Sequence, residues 1–168
     1  MKIFFYVIGC SLLLLACQHN DRWKNVSIRT GNGQFDSSKL VYPATNFCHD
    51  LEVEFLYTDK HLHAYINVYA ETVPAYEEDP QVALLVLHVK GQQYDLLVDR
   101  LSGGQRLKIP QESLNFLIDL LEKYPYVTFT LGSIYRTKIN ALDFNKHFKM
   151  LKAKKNPMLS SNPISLAF

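Results

Sequence analysis

From Leu51 onwards apolar and polar residues alternate: Leu51, Val53, Phe55 and Tyr57 fall on one side of an extended chain, Glu52, Glu54 and Leu56 on the other. After Thr58-Asp59-Lys60 the pattern resumes as Leu62, Ala64, Ile66, Val68 and Ala70 against His63, Tyr65, Asn67, Tyr69 and Glu71. Successive side chains of a strand point to opposite faces, so this period predicts two strands with one buried face, joined as a hairpin. A break containing Pro74 and Pro80 follows, and then Val82 to Val89 is apolar at nearly every position, which predicts a strand buried on both sides. Lys90-Gly91-Gln92 turns the chain into Tyr94 to Leu101, and Ser102-Gly103-Gly104 turns it again into Leu107 to Ile109. The middle of the chain reads as a meander.

The period then changes. Pro110 opens a segment in which Leu114, Leu117, Ile118 and Leu121 fall at i, i+3, i+4 and i+7, the single apolar stripe of a helix lying on a core. Pro125 ends it, because the residue before a proline disfavours helical geometry. Val127, Phe129 and Leu131 alternate with Thr128 and Thr130, Gly132 interrupts, and Ile134 to Ile139 continues the strand pattern. A last helix is expected from about Leu142 to Lys154, with Phe144, Phe148 and Leu151 on one side and Lys146, Lys149 and Lys152 on the other. The sum is an α+β domain, a mostly antiparallel sheet with one or two helices packed on it. It is expected to span residues 47–155, preceded by a polar tether over 17–46 that holds one edge strand near Val26 to Ile28, and followed by a disordered tail over 156–168.

The first twenty residues follow another rule. Met1-Lys2 gives a short positive start, Ile3 to Leu15 is almost uninterrupted apolar chain, and polar residues resume directly after Ala16-Cys17. A membrane-crossing helix needs about twenty apolar residues, and this run is shorter and interrupted by Gly9, Cys10 and Ser11. It reads as a cleavable signal segment over residues 1–16. Leu14-Leu15-Ala16-Cys17 resembles the lipobox of bacterial lipoproteins, with leucine three before the cysteine and a small residue just before it; Leu15 departs from the smaller residue commoner there. The resemblance covers Met1 to about Gln18. It implies cleavage before Cys17, diacylglyceryl and N-acyl lipid on Cys17, and a membrane partner reached through that anchor. By similarity to Gram-negative lipoproteins, Gln18 after the cysteine implies the outer membrane. Each buried methylene contributes roughly 0.8 kcal/mol, so two or more acyl chains retain a protein where one does so only marginally.

Charge changes the picture little: 18 basic and 16 acidic side chains leave a net +2, too small for broad attraction to nucleic acid. No nucleic-acid partner is expected, and no cofactor beyond the covalent lipid. Cys10 leaves with the signal and Cys17 is committed to lipid, so Cys48 stands alone and the mature chain has no internal disulfide.

Six groups of residues invite a chemical reading. His61 and His63, two apart in a strand, point the same way, and with His88 they could ligate zinc or copper; solvated histidines on a polar face are the plainer account. Cys48-His49-Asp50 holds the residue types of a thiol catalyst, but adjacent residues in extended chain point apart. A thiol-dependent envelope hydrolase would need His88 or His147 brought to Cys48 by the fold. Glu77, Glu78 and Asp79 lack the spacing of a calcium loop, and Ser102-Gly103-Gly104 lacks the Gly-Lys-Ser/Thr ending of a phosphate loop. Lys146, Lys149, Lys152, Lys154 and Lys155 suit an anionic surface but equally suit the outer side of a docked helix. Tyr65 and Tyr69, opposite the apolar face of their strand, are the candidate binding residues, because aromatic rings give contact area at little rotamer cost. The function expected is that of a non-enzymatic envelope binding or assembly lipoprotein.

Overall fold

The computed structural model describes residues 22–28, 37–58, 61–77 and 79–153; the signal segment, Cys17, Gln18, Glu78, Lys154, Lys155 and the expected tail lie outside these. Nine strands are β1 Lys24–Ile28, β2 Ser37–Tyr42, β3 Glu52–Thr58, β4 His61–Asn67, β5 Val82–Val89, β6 Gln92–Arg100, β7 Arg106–Ile109, β8 Tyr126–Leu131 and β9 Tyr135–Asn140. Two helices are α1 Gln111–Lys123 and α2 Phe144–Ala153. The strands form one sheet in the order β1-β2-β3-β4-β7-β6-β5-β8-β9, every neighbouring pair antiparallel. The protein is thus an α+β domain built on an antiparallel sheet. The chain runs out through β1 to β4, crosses over residues 68–81, and returns through β5 to β7 in reverse order.

Local chemistry accounts for the elements. Lys90 and Gly91 close the β5–β6 hairpin with φ of 47° and 80°, the left-handed pair that matches strand twist in a two-residue turn. Gly104, at φ 65°, has no room for a Cβ, because the Arg100 guanidinium occupies that space. Arg100 in turn donates to the Val73 and Pro80 carbonyls at 2.7 and 3.1 Å and so fastens the crossover segment. Pro110 lends its carbonyl to Ser113 and Leu114 at the start of α1, and Leu114, Leu117, Leu120 and Leu121 turn inward. Phe144, Phe148 and Leu151 fix α2, as their spacing predicts.

Both helices lie on one face of the sheet, α1 against β4 and β8 and α2 against β1 and β2. That face holds the core: Leu40, Tyr42, Val53, Phe55, Ala64, Ile66, Leu85, Leu87, Leu107 and Phe129 are all essentially inaccessible. β2 and β9 are seven steps apart in strand order, which in a flat sheet is roughly 34 Å. Yet Tyr42 Oη accepts from the Asn140 N–H at 3.1 Å, and Trp23 Nε1 donates to the Asn140 carbonyl at 2.8 Å. The Arg136 N–H reaches the His49 carbonyl at 3.0 Å, and the Leu51 N–H reaches Thr137 Oγ1 at 2.8 Å. The sheet therefore curls around the helices until its two ends meet, leaving a concave buried face and a convex outer one.

Two expectations are corrected by this geometry. Residues 17–46 are not simply a tether with one edge strand: β1 is the edge strand, but β2 pairs along β3, and Trp23 is 3 % exposed against Tyr42 and Phe144 at ring distances of 5.0 and 5.1 Å. The single tryptophan in a polar stretch carries no local period, and its burial comes from the far end of the chain. Val82 to Val89 is buried on one side only; Leu84, Val86 and His88 stay half-buried because none of the described elements covers the convex face.

Since Trp23 belongs to the core, Trp23→Ala is expected to destabilise the domain by about 3 kcal/mol or more in urea unfolding, while Val26→Thr on exposed β1 changes it by less than about 0.5 kcal/mol. Equal, small effects of both would return residues 22–28 to the role of a tether.

Candidate binding surface

The convex face over β2, β3, β4 and β7 carries a connected set of side chains. Alternation points Lys39, Glu52, Glu54, Tyr65, Asn67 and Arg106 outward, and register sets Glu54 across from Tyr65 and Asn67 across from Arg106. Glu54 is 5 % exposed although it lies on the outer face, because long neighbours fold over it. Arg106 donates to Glu54 Oε1 at 3.1 Å and Lys39 Nζ lies 3.6 Å from Oε2. The Arg106 guanidinium also stacks over the Tyr65 ring, 4.1 Å from its centroid. Removing one partner of a buried ion pair commonly costs about 3–5 kcal/mol, and the partial exposure of both cations here brings the effect nearer about 2 kcal/mol. Their geometry fixes where the Tyr65 ring sits.

The second half of the set surrounds Tyr69. Asn67 donates to Glu52 Oε1 at 2.9 Å, and the Tyr69 hydroxyl shares the same carboxylate. Burial of the hydroxyl end, followed by the negative charge and hydrogen bond of Glu52 and the more distant Glu54, pushes the Tyr69 phenol up to about 12 against the opposing pull of Arg106. The ring itself is 44 % exposed and meets Phe47 edge to face at 5.1 Å.

Phe47 is 62 % exposed on the loop joining β2 to β3, and that loop is rigidly built. Asp50 Oδ2 accepts from the Thr45 hydroxyl, the Thr45 N–H and the Asn46 N–H at 2.5, 3.1 and 2.9 Å. Burial alone would raise the Asp50 carboxyl, but those hydrogen bonds and the nearby Arg22 charge hold it below the ordinary carboxylate value. Asn46 Oδ1 accepts from the Cys48 N–H at 3.0 Å, and the His49 carbonyl is tied to β9. Phe47 is therefore presented by a braced turn, so little ordering remains to be done when something meets it.

No protein-family model matches the chain, and neither does any curated protein or solved structure.

Of the sequence candidates, Tyr65 and Tyr69 do share one surface, with Phe47 and Arg106 completing it. Those two were missed because they come from other elements and join only through strand register and the β2–β3 loop. Their one signal in sequence is that Arg106 falls on the polar side of its short strand. His61 and His63 share the outer face of β4 with rings 6.5 Å apart, but β7 and β6 separate them from His88 by three strand spacings, roughly 14 Å. Burial, then the charges of Lys108 and His61, lowers the His63 imidazole below its ordinary value. Among the described residues no three of His, Cys, Asp and Glu are grouped to hold a metal. Cys48 is exposed, and its neighbour Asp50 is spent on bracing the loop; His147 is engaged with Asn25 at 2.9 Å, and His88 sits between Gln93 and Thr128 on the central strands. Glu77 and Asp79 border a shallow open recess of about 560 Å³ floored by Val82 and Leu97, and Gly103 and Gly104 serve a turn.

The Tyr69 pairing has a pH signature. Its folded value lies above the ordinary 10, so the stability it contributes is fully present below pH 10 and is lost as pH rises through about 12. Phenolate absorbance titration of the folded protein is expected to show a component near pH 12 that Tyr69→Phe removes; unchanged titration in the variant would mean that Tyr69 is not the shielded phenol.

Proposed function

We propose that the protein is a bacterial envelope lipoprotein, held on the membrane by lipid on Cys17, whose folded domain binds another envelope protein through Phe47, Tyr65, Tyr69 and Arg106. The observation that carries the binding reading is the bracing of an open sheet face. Both helices cover the concave side, yet the convex side holds a buried, doubly paired Glu54 and a locked aromatic set in place of independently solvated side chains. Aromatic rings and arginine are the residue types that carry most of the energy of protein interfaces, and rings already fixed in position lose little entropy on contact. The Leu14-Leu15-Ala16-Cys17 sequence supports the anchor and the compartment. Binding to a partner is the role that uses these residues as they stand.

A photo-cross-linking amino acid placed at position 47 in cells is expected to give one discrete protein adduct. Tyr69→Ala should reduce that adduct by at least about tenfold, the loss of one hot-spot side chain of about 1.4 kcal/mol or more, and the same cross-linker at exposed Ser133 should not give it. Absence of an adduct from position 47, or an identical pattern from position 133, would remove this surface as the binding site.

A further inference from the structure

The short path from Cys17 into the fold fixes which side of the domain meets the membrane. Five residues lie between Cys17 and Trp23, six steps of chain and at most about 20 Å when fully extended. A domain of this size is roughly 35 Å across, so the sides remote from Trp23 cannot lie against the bilayer while the anchor is inserted. Trp23 packs on Phe144 of α2 at 5.1 Å, and the Asn25 amide of β1 reaches both His147 at 2.9 Å and Met150 Sδ at 3.9 Å. The chain therefore enters the fold beside α2.

The surface at that entrance differs in charge from the rest of the molecule. Across residues 142–153 stand Lys146, Lys149 and Lys152 against Asp143, three cations to one carboxylate, where the whole chain has 18 to 16. Between the lysines, Leu142 and Met150 expose 59 % and 44 % of their surface. Phe144, Phe148 and Leu151 take the inner side of α2, so its outer side presents lysines interleaved with apolar tips. Lysine heads suit anionic phosphates, while leucine and methionine side chains enter the headgroup layer.

We infer that the outer side of α2, with Lys149, Lys152, Leu142 and Met150, rests on the anionic surface of the membrane that carries the anchor. This orientation rests on the acylation of Cys17 proposed above. It turns the convex face with Phe47 and Tyr69 away from the helix side that touches lipid, and so leaves it open to a partner. Each lysine near an anionic surface strengthens the contact by roughly fivefold, and the contact weakens as salt screens it.

The test uses the chain extracted from membranes and placed in lipid nanodiscs, neutral phosphatidylcholine or a mixture with anionic phosphatidylglycerol. Amine-reactive labelling is read by mass spectrometry at Lys149, Lys152 and, as a control on the convex face, Lys108, and intact mass is read on the same samples. Lys149 and Lys152 are expected to label several-fold more slowly in anionic than in neutral discs, with high salt restoring the rate and Lys108 unchanged. An acylated chain whose Lys149 and Lys152 react equally in both discs overturns the orientation alone. Equal protection in neutral and anionic discs also overturns it, in favour of a second copy or another protein segment on α2. A chain without acyl mass that stays off the discs overturns both the orientation and the anchor.

Discussion

The hydrogen bonds that Trp23 Nε1 donates to the Asn140 carbonyl and that Tyr42 Oη accepts from the Asn140 N–H join two ends of a sheet that strand order alone would hold far apart. A nine-stranded antiparallel sheet with the two short helices found among the described residues has more apolar surface than a flat arrangement could cover. Curling concentrates that surface inside, where Trp23, Tyr42, Phe55, Phe144 and Phe148 pack ring against ring. The seam also satisfies groups that would otherwise be stranded: Thr137, 4 % exposed, receives the Leu51 N–H, and the Tyr135 hydroxyl donates to the Glu71 carbonyl and accepts from the Glu71 N–H. Without it the β2–β3 loop would lose its fastening to Arg136, and β1 would lose its place beside α2.

Both surfaces of interest follow from that closure. Both described helices pack on the concave side, and the tied-down loop carries Phe47 to Tyr69 on the convex one. The same seam sets the chain's point of entry against the lysine-bearing helix. Anchor, membrane-facing helix and partner-facing sheet would then occupy different sides of one small domain, and binding could proceed without lifting the protein from the lipid. Glu54 illustrates the cost of such a surface: a carboxylate that shuns burial is held nearly inaccessible, and two cations that could have remained in water are committed to it.

Elements with a local signature were legible in the sequence. Alternation over Leu51 to Tyr57, Leu62 to Val68 and Val127 to Leu131 gave strands with the right inward faces, and the two helices follow from their own spacing. The outward direction of Tyr65 and Tyr69 was readable for the same reason. β2 was not, because Lys39-Leu40-Val41-Tyr42 interrupts the alternation and its burial depends on β3 and α2. Trp23 gave no warning of its place in the core, since its partners, Tyr42 and Phe55 on other strands and Asn140 and Phe144 more than a hundred positions later, share no local period with it. Arg106 over Tyr65 required the β4–β7 register, which the reversed order of β5 to β7 conceals. Val82 to Val89 misled in the other direction, because an apolar outer face on a central strand imitates burial on both sides.

Everything said of compartment and orientation depends on Cys17. Intact mass of the protein recovered separately from membrane and soluble fractions, beside a Cys17→Ala variant, addresses it directly. A lipid-anchored protein will be recovered with the membrane as a chain that begins at Cys17 and carries acyl mass, with that mass lost in the variant. A full-length, unmodified chain in the soluble fraction would contradict it and leave the domain without the anchor on which its proposed role is built.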